Sequence, residues 1–226
     1  MKKEANGLFL SLIVISALLL ASSCKKGDDT EQITDGDGNV YTSVKIGTQV
    51  WLKENRKTTT YNDGTDIPQV TDNTAWSGLS TPGYCWFNND INNKDIYGAL
   101  YNWYAVNTGK LCPDGWHVPT DEEWDVLVEY TGGISASGGK LKETGLNHWN
   151  DPNLDATDAY GFTAVGAGYR DIAGPHKNLK IDTYWWSSTT HSADDAWARY
   201  IFYYNAIVFR VTDDNNYGQS VRCMKD

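Results

Sequence analysis

Hydrophobic and polar positions change rhythm several times along the chain. Residues 8–20 are uncharged and mostly apolar, behind the charged start Lys2–Lys3 and ahead of the small residues Ala21, Ser22 and Ser23. A membrane-crossing helix needs about 20 apolar residues, so the run is read as a secretory signal rather than a span. After the turn residues Asp35-Gly36-Asp37-Gly38-Asn39, Val40, Thr42, Val44 and Ile46 alternate with their neighbours, and Val50 and Leu52 resume the alternation after Gly47-Thr48. That period of two predicts a β-hairpin. Residues 56–95, rich in Asn, Asp, Thr and Gly, read as long loops. Ile96, Ala99, Leu100, Trp103 and Tyr104 then lie at helical spacing, closed by Asn107-Thr108-Gly109. A second helix is predicted from Thr120, with Glu123 three residues on as a capping box. Trp124, Leu127 and Val128 form its stripe and Gly132-Gly133 its stop. Five runs rich in aromatic and β-branched residues follow, at 162–165, 184–188, 197–203, 206–211 and 220–224. Helices segregated from strands predict an α+β fold with a mainly antiparallel sheet.

Composition adds an address. Cys24 directly follows the small residues, an arrangement that resembles a bacterial lipobox, with Ala21 where Leu is the commoner choice. The expected organisation is a lipoprotein signal peptide over 1–23, a flexible tether over 24–34 and one domain over 35–226. Plain secretion and a retained anchor are the alternatives. On the lipoprotein reading Cys24 carries the acyl chains that hold the protein to a membrane, at the outer membrane or cell surface. The acidic stretch after Cys24 resembles surface-export signals of Bacteroidetes-type lipoproteins; it reads equally as a solvated linker. The 226 residues carry 19 basic and 29 acidic side chains, a net charge of −10. A nucleic-acid partner, which needs a basic face, is not expected. With Cys24 lipidated, Cys85, Cys112 and Cys223 remain; three cysteines allow three single disulfides, each leaving one thiol. Their spacing is too wide for a zinc knuckle.

Candidate chemistry is sparse. None of His117, His148, His176 and His191 sits in a metal-binding motif, and His117, between Trp116 and Val118, reads as a packed, hydrogen-bonded residue. The segment GGISASGGK at 132–140 lacks the glycine and hydroxyl spacing of a phosphate loop and reads as a flexible loop. Ser135 and Ser137 lack a nucleophile-elbow context. The Asp35 turn misses the glycine and glutamate of a calcium loop, with Val40 and Ile46 at those places. No catalytic residue, metal or cofactor is expected.

Several blocks coincide in order: GYCWFNND at 83–90, YGALYNWY at 97–104, LCPDGWHVPTDEEW at 111–124, GKLKETG at 139–145, GFT at 161–163, YWWSST at 184–189 and SVRCMKD at 220–226. Together they resemble the Fibrobacter succinogenes major paralogous domain over residues 33–226. The 112–124 block also resembles a segment of the formylglycine-generating, sulfatase-modifying family, and Ser220-Val-Arg-Cys223 that family's closing strand. The resemblance implies a C-type-lectin-like fold: two helices packed on a small, twisted antiparallel sheet with long loops and adjacent terminal strands. It also implies a Cys112–Cys223 disulfide, with Cys85 left as the buried thiol. The enzyme does not carry over, because its copper is held by two cysteines near the C-terminus and only Cys223 lies there.

The implied function is a non-catalytic binding or adhesion module for a glycan or protein ligand, the alternative being a structural component of the cell envelope. Recognition on a rigid scaffold is carried by loops, here 171–183, 191–195 and 213–217. Asp213, Asp214, Asn215, Asn216 and Tyr217 are the candidate ligand-binding residues. Trp103, Trp116, Trp124, Trp185 and Trp186 are expected in the core, and Trp149-Asn150-Asp151 as a loop rather than a lectin cation motif.

Overall fold

The computed structural model describes Met1 and residues 32–226; Cys24 and most of the expected signal and tether lie outside the described residues. Strand β1 (Gln32–Thr34) runs into the Asp35 turn. There the Asp35 carboxylate accepts from the backbone N–H of Asp37 and Asn39, at 3.1 and 2.9 Å, and from the Tyr41 hydroxyl at 2.8 Å. With its carboxylate consumed by its own turn, this segment is a hairpin entry, as expected. Strands β2 (Val40–Ile46) and β3 (Gln49–Leu52) form the expected hairpin.

The predicted helix over 96–104 is broken in two. The chain makes α1 (Asn73–Ser77), β4 (Tyr84–Trp86), α2 (Lys94–Tyr97), β5 (Ala99–Tyr101) and α3 (Trp103–Val106). Gly98 ends α2 at φ 77°, and a Cβ there would lie 2.7 Å from Cβ of Asn55. Only glycine turns the chain so tightly. β5 then pairs with β4, and the Asn102 side chain caps α3 by accepting from the Ala105 N–H at 3.2 Å. Apolar spacing suited a helix, yet Ala99, Leu100 and Tyr101 are all buried, as in a strand covered on both faces.

Strand β6 (Trp116–His117) precedes α4 (Asp121–Tyr130), which starts on the predicted Thr120–Glu123 capping box and buries Trp124, Leu127 and Val128. The segment expected as a flexible loop is helix α5 (Ile134–Leu141). Its glycines serve contact: a Cβ on Gly138 would lie 2.8 Å from the carbonyl oxygens of Ala206 and Ile207. Downstream come β7 (Tyr169–Arg170), β8 (His176–Lys177), β9 (Asp182–Thr190), β10 (Asp195–Phe202), β11 (Val208–Asp214) and β12 (Met224–Lys225). Of the predicted run 162–165 only a single bridge from Lys142 to Ala164 forms. That at 220–224 pairs as a strand only at its end.

The α+β reading, two helices on one small lectin-like sheet, is therefore overturned. The described residues are mostly β: twelve strands in several sheets, with few short helices. The larger sheet has the order β1-β2-β3-β12-β6, so the last strand lies between β3 and β6. A three-stranded antiparallel meander, β11-β10-β9, forms the second sheet; β4-β5 and β7-β8 are separate ribbons. Cys112 and Cys223 are joined by a disulfide, Cα atoms 5.9 Å apart, and Cys85 is a buried free thiol. Trp51, Trp76, Trp124, Trp149, Trp185 and Trp186 are fully buried. Large rings fill the spaces between short elements that offer few aliphatic side chains.

Candidate functional site

The meander has two faces, set by the period of two along its strands. The back face carries Trp185, Arg199 and Ile201 against α4. Arg199, 1% exposed, reaches Asp121 at 2.5 Å and Asp125 at 2.6 Å. The front face carries Tyr184 on β9, Tyr200 and Phe202 on β10, and Phe209 and Asp213 on β11. Tyr200 stands directly opposite both Tyr184 and Phe209. At one end of this face Trp186, Ala196 and Ala198 are buried in the core. At the other end the face leaves the core, and its rings remain partly open to solvent.

These rings form a continuous strip. Tyr200 stacks on Phe209 at 4.6 Å and on Tyr184 at 4.7 Å between centroids. Phe202 contacts Tyr200 at 5.1 Å and stacks on Tyr204 at 4.9 Å. In the other direction Tyr184 meets Tyr169 at 5.1 Å, which meets Tyr217 at 5.9 Å. Tyr204, at the far end, is 51% exposed. The hydroxyls of Tyr169, Tyr184, Tyr200 and Tyr217 have no hydrogen-bond partner among the described residues, so their polar ends are available.

Beside the strip lies a cavity of about 70 Å³ lined by Tyr169, Tyr184, Asp213, Tyr217 and Gln219. The Gln219 Nε2 donates to Asp213 Oδ2 at 2.6 Å, while the buried Gln219 Oε1 has no partner among the described residues. Burial raises the Asp213 carboxyl above the usual carboxylate range, and the Gln219 bond only partly offsets it. Asp182, on the same face at the foot of β9, is fully buried. It accepts from Asn178 Nδ2 at 2.7 Å through one oxygen, the other having no partner among the described residues, and burial pushes its carboxyl up to about 7. Burial, with Asp182 and Asp213 nearby, raises the Tyr184 phenol.

Of the five candidate loop residues, Asp213 and Tyr217 line this cavity. The other three organise the loop. The Asp214 carboxylate accepts from the Asn216 N–H at 2.8 Å. Asn215, 2% exposed, donates to the Ala193 carbonyl, and its own carbonyl accepts from the Trp103 N–H. The Asn216 carbonyl accepts from Trp76 Nε1 at 2.8 Å. Sequence reasoning missed Tyr169, Tyr184, Tyr200, Phe209 and Gln219. The signal was present for the strand rings: Tyr184, Tyr200, Phe202 and Phe209 occupy alternate positions.

Other titratable and basic groups among the described residues are engaged as follows. Cys85 Sγ lies 3.4 Å from His176 Nε2, but burial raises the thiol to about 11 and lowers the imidazole to about 4, so neither ionises near neutrality. Arg170 is spent on backbone carbonyls, including those of Gly174 and Thr71, and lies over the Trp76 ring at 4.3 Å. His148 pairs with Glu143 at 2.8 Å at the edge of a cleft of about 310 Å³. His117 bridges Asp226 at 2.6 Å and Glu123 at 3.0 Å. Trp149 is buried, donating to the Ala164 carbonyl, so its tripeptide is a structural loop. No group of three or more His, Cys, Asp or Glu that could hold a metal occurs among the described residues.

Comparison with protein families matches residues 44–225 to the Fibrobacter succinogenes major domain. Neither a curated protein nor a solved structure matches the chain.

Proposed function

The chain belongs to the Fibrobacter succinogenes major domain family, and from that premise we propose that it is a non-catalytic, lipid-anchored binding module of the cell surface, whose aromatic strip holds a glycan. The single observation that carries this reading is the strip itself. Rings from Tyr217 to Tyr204 follow one another at stacking distance on a sheet held rigidly from behind, and end beside a polar cavity. Sugar rings have apolar C–H faces that lie on aromatic faces and hydroxyl rims that seek polar groups. Partly buried tyrosines with unengaged hydroxyls, next to a carboxyl and a carboxamide, match both needs. The rigid strip favours a linear ligand lying across the strands, because little entropy is lost in ordering the site.

The anchor belongs to the same reading. Acyl chains on Cys24 would contribute about 0.8 kcal/mol per buried CH₂, and residues 24–34 would let the domain stand off the membrane. The test is a glycan array with the mature chain, beside Tyr204→Ala and Phe209→Ala. Binding by the parent, weakened at least tenfold by either substitution without a change in circular dichroism, supports the reading. No bound glycan, with other envelope proteins co-purifying, would replace it with an assembly role. Labelled palmitate should enter the parent and not Cys24→Ala.

A further inference from the structure

The cavity at the Tyr217 end of the strip differs in chemistry from the strip itself. Three tyrosines, Tyr169, Tyr184 and Tyr217, line it with Asp213 and Gln219. Asp213 is the one charged residue in that lining. Lys177, which acts on these rings, is engaged with Asp171 at 2.9 Å, and Arg170, packed against Gly218, is spent on backbone carbonyls. Gln219 is fully buried, and its Oε1 acceptor is left without a partner. The arrangement thus offers three tyrosine side chains, a carboxylate and a spare acceptor, with no arginine or lysine lining it. Aromatic faces attract cations through their quadrupole, and quaternary or protonated amines are recognised in such cages. A hard metal ion would require several oxygen ligands at fixed geometry, which one carboxylate and one carboxamide do not supply.

Resting on the reading of the strip as a glycan surface, we propose that this tyrosine cage binds the protonated amino group of a deacetylated hexosamine, so that the ligand class is a cationic amino-glycan. The ammonium enters between the three rings and donates to Asp213 and Gln219 Oε1, while the sugar chain continues along Tyr184, Tyr200 and Phe209. About 70 Å³ suits this role: one water needs roughly 10–15 Å³ on the same measure, so the cavity admits a small head group and not a sugar ring. The chain's net charge of −10 favours approach of a cationic polymer and opposes a uronic or sulfated one. Charged groups near the cage are Asp171, Asp182, Asp195, Asp213 and Asp214, with Lys177 and the buried Arg170, which packs against Gly218, as the basic residues among them. Acidic groups therefore outnumber basic ones around the cage. Because burial raises the Asp213 carboxyl, amine binding should weaken as pH falls and that group takes up its proton.

The test compares glucosamine, N-acetylglucosamine and glucose oligomers of equal length on the mature chain by calorimetry. Tetramethylammonium, alone and against neutral neopentyl alcohol, is followed through the tyrosine ring resonances. The glucosamine oligomer should bind at least tenfold more tightly than the other two. Asp213→Asn should erase that preference, and Tyr204→Ala should weaken all three oligomers alike. Tetramethylammonium should shift the rings of Tyr169, Tyr184 and Tyr217, and neopentyl alcohol should not. Equal binding of the three oligomers overturns the cage inference and leaves the glycan reading standing. Tetramethylammonium binding without any oligomer binding upholds the cation site and overturns the glycan reading. If neither cation nor oligomer binds, both fall. Should Asp213→Asn fail to fold, Tyr217→Leu removes one wall of the cage and is read in the same way.

Discussion

The face opposite the strip is held to α4 by a buried charge cluster, and its removal is a sharp test of how the sheet is supported. Asp121, with a side chain 6% exposed, accepts from Arg199 at 2.5 Å and from Arg210 at 2.6 Å; Arg199 is itself 1% exposed. In Asp121→Ala the Arg199 guanidinium stays in the interior with one carboxylate, that of Asp125, whose side chain is 58% exposed. Stranding a buried charge costs about 3–5 kcal/mol, and the surviving Asp125 contact places the loss near the lower bound, about 3 kcal/mol. With a urea m-value of ~1–3 kcal/mol per molar, the unfolding midpoint should fall by roughly 1–3 M at unchanged m. Asp125→Asn removes a mostly exposed partner and should cost under about 1 kcal/mol. Burial opposes ionisation of Asp121, but its bonds to Arg210 and Arg199 outweigh this and hold its carboxyl below the usual range. The parent's advantage over the variant is therefore present above the unfolded carboxyl value of about 3.9 and is lost as pH falls through the folded one. A midpoint shift worth less than about 1 kcal/mol at neutral pH would refute the reasoning, because Arg199 would then be satisfied without Asp121.

Three further outcomes follow. Burial of His117 opposes its protonation, but its bonds to Asp226 and Glu123 prevail and raise its pKa. Its stabilising contribution is complete below the unfolded value of about 6.5 and is lost as pH rises through the folded value, so His117→Asn should lower Tm at pH 5.5 and scarcely at pH 9. Protease mapping without reductant should yield a peptide joining Cys112 to Cys223. Cys85 should resist alkylation until unfolding, and replacing the disulfide pair by Ser should cost about 2–5 kcal/mol in chemical denaturation. Gly98→Ala combines a positive φ with a Cβ placed 2.7 Å from Asn55, and should destabilise by about 1–3 kcal/mol, read as a lowered urea midpoint.

Local chemistry was legible where one short-range rule decided the outcome. The β2–β3 hairpin follows from alternation and Gly47, and the start of α4 from the Thr120–Glu123 box, because both signals act within a few residues. Residues 96–104 failed because helical spacing and a doubly buried strand use the same apolar residues; the arbiter, Gly98 against Asn55, is a contact 43 positions away. Residues 132–140 failed for a related reason: Gly138 and Gly139 looked like freedom and are instead close approaches to the backbone at 206–207 and at Asp155. The fold class failed with them, since one helix shattered and the rings assigned to a lectin-like core support several small sheets. At the candidate site Asp213 and Tyr217 were visible as polar loop residues. Tyr169 and Gln219 were not, because a cavity assembled from β7, β9, β11 and the segment before β12 leaves no pattern in any one stretch of chain.

The position of β12 between β3 and β6 bears on how the chain reaches this structure. Met224 pairs with both Trp51 and His117, so residues 224–225 occupy the interior of a sheet begun near residue 32. Until they arrive, β3 and β6 each present an unpaired edge, a template for association with other chains. Closing that gap joins residues more than 170 positions apart, a step that carries a large loop entropy and slows folding. Shielding of those open edges, rather than strength of the finished core, is what folding of this sheet demands.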